Sequence, residues 1–332
     1  MRSFRTDPGT SVSGRVCAPG ERRHVGRRRM LHWLMGSALI AVRPMALAQD
    51  SDEPVIEKLE LAGARLELQF APGFDAAFRD EAKAWVQRSA LAVADYFGRF
   101  PVPNAEVLML PVDGGGVRGG VSYGEPNPFV RVRVGRHTTR AQFLADWVLV
   151  HEMVHLAIPG LPRAQRWFHE GVATYVEGIA RARAGLVAEA DLWGGLARGM
   201  PQGLPKDGDR GLDGTPTWGR TYWGGAMFCL LADVQMRVRS ARRLGLQQAL
   251  RGVSAAGGNY SLRWPLERIL AAADAAVGQA TLAELYALLK DCPRAVDLAA
   301  LWQDLGVSPA DSGMALLREE APLAAVRRAI LA

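Results

Sequence analysis

The chain has 332 residues, 49% hydrophobic and 22% charged, enough for two lobes or one large domain. Its formal charge of +6 belongs to one end: residues 1–48 hold nine arginines against two carboxylates, which leaves −1 for residues 49–332. A nearly neutral body excludes the basic footprint of a nucleic-acid-binding protein, and no apolar run after residue 50 reaches the length of about 20 residues that a membrane span needs.

The basic end reads as an export leader. Arg27-Arg28-Arg29 supplies the positive start, Met30 to Val42 is apolar apart from His32 and Ser37, and Ala46-Leu47-Ala48 is a small-x-small cleavage site. Residues 1–48 are therefore expected to be an N-terminal extension and signal peptide. The mature protein would begin at Gln49, periplasmic or secreted, with no stable membrane insertion after cleavage. The arginine run also fits a loose twin-arginine pattern, so the export route stays open. Cys17 leaves with the leader. Cys229 and Cys292 either pair or, as the apolar stretch Met227–Leu231 suggests for Cys229, stay apart with a buried thiol.

Residues 55–70 alternate as one or two strands, with Leu59 and Leu61, then Leu66 and Leu68, on one side. Helical spacing runs over 74–98 (Phe74, Phe78, Ala82, Trp85, Val86, Ala90, Val93) and stops before Pro101 and Pro103. Residues 106–111 form a short apolar strand, 114–120 a glycine-dense loop, and 129–134 an alternating, half-exposed strand of the kind found at a sheet edge. Helices follow over 139–157 and 164–182. Residues 194–219 contain eight Gly and three Pro and read as one long loop. Beyond it the spacing is helical throughout: 222–240, 244–253, 262–276, 281–290, 296–304 and 312–331. The expected fold class is α+β: a small α/β lobe over 49–185 with an edge strand, then a mainly α-helical lobe over 186–332.

The chemistry concentrates in Val148-Leu149-Val150-His151-Glu152-Met153-Val154-His155-Leu156, which contains H-E-x-x-H. On a helix, His151 and His155 lie one turn apart on one face, where both imidazoles reach a single metal ion. Glu152 then falls beside the metal's open position, placed to act as general base on bound water. The competing reading is a solvated helix face, but Val148, Val150, Val154 and Leu156 make three polar residues costly there unless they are satisfied. Only four histidines follow the leader, and three lie within 19 residues: His151, His155 and His169.

A second segment, Trp167-Phe168-His169-Glu170-Gly171-Val172-Ala173-Thr174-Tyr175-Val176-Glu177-Gly178, follows, with 14 residues between His155 and Glu170. The two segments together resemble the gluzincin metallopeptidases, above all the peptidase MA-like family, related to the glycyl aminopeptidase and aminopeptidase N families. The resemblance implies a zincin-like fold with the HExxH helix and the Glu helix at a cleft. It implies Glu170 as third ligand of one zinc ion and a peptide or protein substrate. His/His/Glu with an open position is a catalytic set, since a closed set of four would be structural. Thr221-Tyr222-Trp223-Gly224-Gly225-Ala226-Met227 is similar to the helix start that carries the oxyanion-stabilising tyrosine in these families, which implies that role for Tyr222. Residues 119–124 are similar to their substrate loop and 129–134 to their substrate strand, able to pair with an extended peptide. One departure stands out: the loop lacks the glutamate that grips a substrate's free amine in the aminopeptidase N family, and Glu125 lies just beyond it.

Around this core stand secondary candidates. His169 is either beside the ligands or an exposed helix-start residue, and Thr174 is placed to hydrogen-bond a ligand histidine. Tyr123 and Tyr175 are alternatives to Tyr222. Arg131 and Arg133 form the exposed side of their strand, and Trp218 and Trp223 are candidates to line the cleft. The expected activity is zinc-dependent peptide hydrolysis. The alternatives are an inactive zinc-binding envelope protein and an amidase acting on a non-peptide envelope substrate.

Overall fold

The computed structural model describes residues 54–311 and 313–332, together with the two-residue strand β1 (Val12–Ser13). Apart from that strand, the expected leader lies outside the described residues. Period-two alternation builds the first half. β2 (Val55–Leu61) and β3 (Ala64–Phe70) form a hairpin in which Leu66, Leu68 and Phe70 are buried while Arg65 faces out. The carboxylate of Asp75 accepts the Phe78 N–H at 2.7 Å and so caps helix α1 (Ala76–Phe97), which buries Trp85, Val86, Ala90 and Val93.

β4 (Asn104–Val112), β5 (Val117–Tyr123) and β6 (Phe129–Gly135) complete a five-stranded mixed sheet of order β2-β3-β4-β6-β5. Two expectations are corrected here. Strand 129–134 is not an edge: β6 is paired in parallel with β4 and antiparallel with β5. Its alternation arises because Val130, Val132 and Val134 are buried and Arg131 and Arg133 face out, and alternation reports covered faces, not neighbours. The edge on this side of the sheet is β5, drawn largely from what reads as a glycine loop; Gly119 and Gly120 mask a strand by their poor strand preference.

The helix expected over 139–157 is two, α2 (Arg140–Ala145) and α3 (Val148–His155). Asp146 breaks it with an extended backbone (φ −66°, ψ 141°), and its carboxylate accepts the Leu149 N–H at 3.1 Å and the Trp85 indole N–H at 3.2 Å. α4 (Arg166–Arg183) follows. The loop expected over 194–219 is also corrected, because α5 (Glu189–Gly199) and a 3₁₀ turn at Met200–Gly203 occupy its first ten residues. Glycine serves packing there: a Cβ on Gly199 would stand 2.0 Å from the Trp223 ring. The irregular remainder is tied down where Arg220 pairs with Asp209 at 2.8 Å and Asp213 accepts from Trp167 and Tyr286, each at 2.7 Å.

A π-turn at Arg220–Gly224 enters α6 (Gly225–Arg239), followed by α7 (Leu246–Ala255), α8 (Leu266–Val277) and α9 (Thr281–Leu289). β7 (Ala295–Val296), which pairs with β1, and α10 (Leu298–Leu305) come next. The helix expected over 312–331 is instead a hairpin of β8 (Val307–Pro309) and β9 (Ala315–Leu317) and a shorter α11 (Ala324–Leu331), which begins only after Pro322. One apolar core, from Leu66 of the sheet to Ile330 of α11, runs through all of this. Cys229 is a buried free thiol within it and so does not pair with Cys292. Among the described residues no helix is long and apolar enough to cross a membrane.

Candidate metal centre

Every residue of α3 is buried, but for two different reasons. Leu149, Val150, Met153 and Val154 enter the core at 1% exposure or less. His151, Glu152 and His155 are also buried, which is costly for polar groups unless something completes them. The structure brings Glu170 of α4 to them: its Oε2 lies 3.4 Å from Nε2 of His151 and 3.4 Å from Nε2 of His155. The other oxygen, Oε1, accepts from Arg166 Nε at 3.0 Å and Nη2 at 2.8 Å. Burial alone would raise the Glu170 carboxyl; hydrogen bonds from both histidines and from Arg166 outweigh it and hold the group well below the usual carboxylate range.

Two imidazole nitrogens and one carboxylate oxygen thus lie within 4.8 Å of one another. Among the described residues neither histidine Nδ1 has a hydrogen-bond partner; the rings are set by packing, His151 against Tyr222 and His155 against His169. This donor set suits one zinc ion, with room left for a fourth ligand. That side opens into a cavity of about 400 Å³ lined by Gly120, Ser122, Glu152, Arg166, Tyr222 and Tyr260, among others.

Local sequence explains how the walls come so close. A Cβ on Gly120 would stand 2.6 Å from Glu152 Cγ, so only glycine lets β5 lie against α3 here. Two residues on, the Ser122 hydroxyl sits 2.7 Å from both Glu152 Oε2 and the Glu152 carbonyl oxygen. A Cβ on Gly171, just after the Glu170 carboxylate, would stand 2.3 Å from Gly225 Cα. That near contact between α4 and the start of α6 carries the π-turn, and with it Tyr222, to the ligand cluster. Such turns recur at functional sites. The Tyr222 ring stacks on His151 with centroids 6.3 Å apart, and its hydroxyl pKa is raised by burial and by the Glu170 charge.

The secondary candidates divide. His169 is buried, not exposed: its ring stacks on His155 at 4.5 Å, and burial, then the neighbouring His155, lowers its pKa to about 3, which keeps it neutral. Thr174 does not support a ligand histidine, since its hydroxyl has no partner among the described residues. Tyr175 donates to Asp233 at 3.1 Å inside the core, and Tyr123 stacks on Phe129 at the surface, so neither reaches the site. Arg131 and Arg133 are exposed on the sheet, and Glu125 pairs with Arg263 at 3.3 Å. Trp218 and Trp223 line a second, adjoining cavity. Two participants carry no sequence assignment, Arg166 and Tyr260, which packs on His169 at 4.6 Å, and Ser122 is assigned only as part of the substrate loop 119–124. Ser122 becomes visible once 117–123 is read as a strand, since it shares a face with Gly120. Tyr260 lies in an irregular segment between α7 and α8 and offers no signal.

No protein-family model matches the sequence, and no curated protein matches it either. Solved structures do. An aminopeptidase N family protein from Idiomarina loihiensis superposes with a TM-score of 0.59 at 16% identity, covering 77% of this chain and 49% of that one. An M1 zinc metallopeptidase from Deinococcus radiodurans gives a TM-score of 0.45 at 17% identity, covering 71% of this chain and 51% of its own. The chain spans about half the length of each of these proteins. At this identity the likeness to the Idiomarina protein is one of fold.

Proposed function

We propose that this fold serves here as an exported, zinc-dependent peptidase with Glu152 as general base. The observation that carries the proposal is the approach of His151 Nε2 and His155 Nε2 to a single oxygen of Glu170, beside a cavity that Glu152 lines. A zinc ion held by His151, His155 and Glu170 would supply an acidified water and a polarised substrate carbonyl. Glu152, with Ser122 against its Oε2, takes a proton from the water that attacks the peptide carbonyl and returns it to the departing amine. Tyr222 donates to the carbonyl oxygen as negative charge builds on it. Arg166 occupies Oε1 of Glu170, which leaves Oε2 to face the histidines. Among the described residues β5 pairs only with β6, so its other side offers main-chain groups to an extended substrate. The Glu152–Ser122 pair at the cavity wall favours hydrolysis over an inactive zinc-binding role, because a purely structural site has no use for a positioned base.

The test uses purified residues 49–332. One zinc per chain is expected, lost on His155→Ala. Glu152→Gln should keep the metal and lose peptide hydrolysis by about 10²- to 10⁴-fold. A metal-free wild type, or full activity in Glu152→Gln, overturns the proposal. Cell fractionation with N-terminal sequencing checks export, with Gln49 expected as the first residue.

A further inference from the structure

The reaction proposed above leaves the largest cavity beside the metal site without a role. It measures about 530 Å³ and shares two walls, His151 and Tyr222, with the catalytic cavity. Its lining is dominated by large apolar groups: Trp147, Trp218, Trp223, Leu192 and Leu196. Trp147 and Trp218 are 50% and 60% exposed, an unusual state for the largest apolar side chain, and such rings gather where an apolar body must be recognised. Both are tied to the site's own rings. Trp147 meets His151 edge-on at 5.7 Å, and Trp218 stacks on Tyr222 at 5.8 Å. Two acids, Glu177 and Asp191, and two bases, Arg181 and Arg198, also line it; Glu177 pairs with Arg181 at 3.5 Å, and Arg198 donates to the Gly313 carbonyl. An apolar guest is driven in by the rings and leucines that make up most of the wall.

Resting on the peptidase reading, we infer that this cavity receives a large apolar side chain, aromatic or leucine-like, of the substrate residue next to the scissile bond, and that Gly195 sets its depth. Gly195 lies on α5 and lines the cavity, and a Cβ built on it meets nothing within 4 Å. Its backbone is ordinary helix, so a side chain there strains nothing and grows into the open volume. A glycine inside a helix is itself unfavourable, so a larger residue does not weaken α5.

The experiment follows peptides that differ in one residue beside the cleaved bond (Ala, Leu, Phe, Lys or Glu), with wild type and Gly195→Phe. Wild type should favour Leu and Phe over Ala by roughly 10- to 200-fold in kcat/KM. Gly195→Phe should lose that preference while it still cleaves the Ala peptide. A wild-type preference for Lys or Glu, or an equal loss on every peptide in Gly195→Phe, overturns the inference. Calorimetric binding of phenylalaninamide and alaninamide to zinc-loaded Glu152→Gln protein gives an arm that needs no turnover. Tighter binding of phenylalaninamide, abolished by adding Gly195→Phe, upholds the cavity even where no peptide is cleaved, and then only the peptidase reading falls. Equal binding of the two amides sinks the cavity's role.

Discussion

The helix α4 contributes to two buried polar clusters that differ in one respect. Near its middle, Tyr175 joins Asp233 and Arg237 of α6. Asp233 Oδ1 accepts from Arg237 Nε at 2.8 Å and from the Leu246 N–H at 3.1 Å, and Oδ2 accepts from the Tyr175 hydroxyl at 3.1 Å. That cluster is complete. One turn earlier, Glu170 faces His151 and His155, also buried, with both Nδ1 atoms unpartnered among the described residues and three donor atoms within 4.8 Å of one another. Buried charge that closes on itself holds helices together, whereas buried charge that converges and stops short waits for something outside the chain.

The sharpest way to break this contrast is to remove the acid from each cluster. Asp233→Ala strands the guanidinium of Arg237, which is 3% exposed, and should cost about 3–5 kcal/mol in urea unfolding of the metal-free protein. Glu170→Ala releases Arg166, whose side chain is 63% exposed, and leaves two histidines that can be neutral. It should abolish metal binding yet lower metal-free stability by less than Asp233→Ala does, because no buried charge is left unpaired. Equal losses in the two variants would mean that the Glu170 cluster is part of the scaffold.

Next in size is the phenol between the two regions. Tyr222→Phe keeps the ring on His151 and removes only the donor, so kcat should fall about 10²- to 10³-fold with zinc content unchanged. A stopped assay on metal-loaded protein decides it, and an unchanged kcat returns the oxyanion role to another group, with Tyr260 across the cavity the first to try.

How much of the contrast could be read from the sequence follows from where each signal lives. His151, Glu152 and His155 are legible because helical spacing alone puts them together. Glu170 is named by resemblance, since the 14 intervening residues carry no rule for bringing it back. The mixed α+β architecture is legible from periodicity, yet periodicity points to the wrong edge strand: alternation in 129–134 records a covered face, while the edge beside it hides behind Gly119 and Gly120. The break at Asp146 escapes because its cause is partly a tertiary partner, the Trp85 indole. Gly194 and Gly199 mimic a loop because their use, clearance for the Gly313 carbonyl and the Trp223 ring, shows only in three dimensions.

A third acid on α4 sits between the two extremes and grades the comparison. Among the described residues Glu177 has one partner, Arg181 at 3.5 Å, and its side chain is only 17% exposed. Burial pushes its carboxyl up to about 7, with Arg181 pulling the other way. The unfolded chain holds a glutamate near 4.3. The folded state therefore binds the proton more tightly, and wild type loses stability as pH rises from about 4.5 to 7. Glu177→Gln has no such loss. Its advantage should be near zero below pH 4.5 and grow to roughly 1–3 kcal/mol at pH 8. Thermal melts at the two pH values check this, and a gap that is flat or reversed with pH would place Glu177 among the satisfied groups.

The smallest effect bears on how finely the incomplete cluster is tuned. Ser122 Oγ stands 2.7 Å from the carboxylate and from the carbonyl oxygen of Glu152, and its single proton can serve only one of them at a time. The α3 backbone is already set by its own helix, so the contact that matters for chemistry is the one that holds the carboxylate toward the cavity. Ser122→Ala should lower kcat by about fivefold, close to 1 kcal/mol, with KM and melting temperature unchanged, and Ser122→Thr should restore it. A loss of stability in place of kcat would move Ser122 to the scaffold side of the contrast, because β5 would then be held to α3 by that hydroxyl and not by the clearance at Gly120.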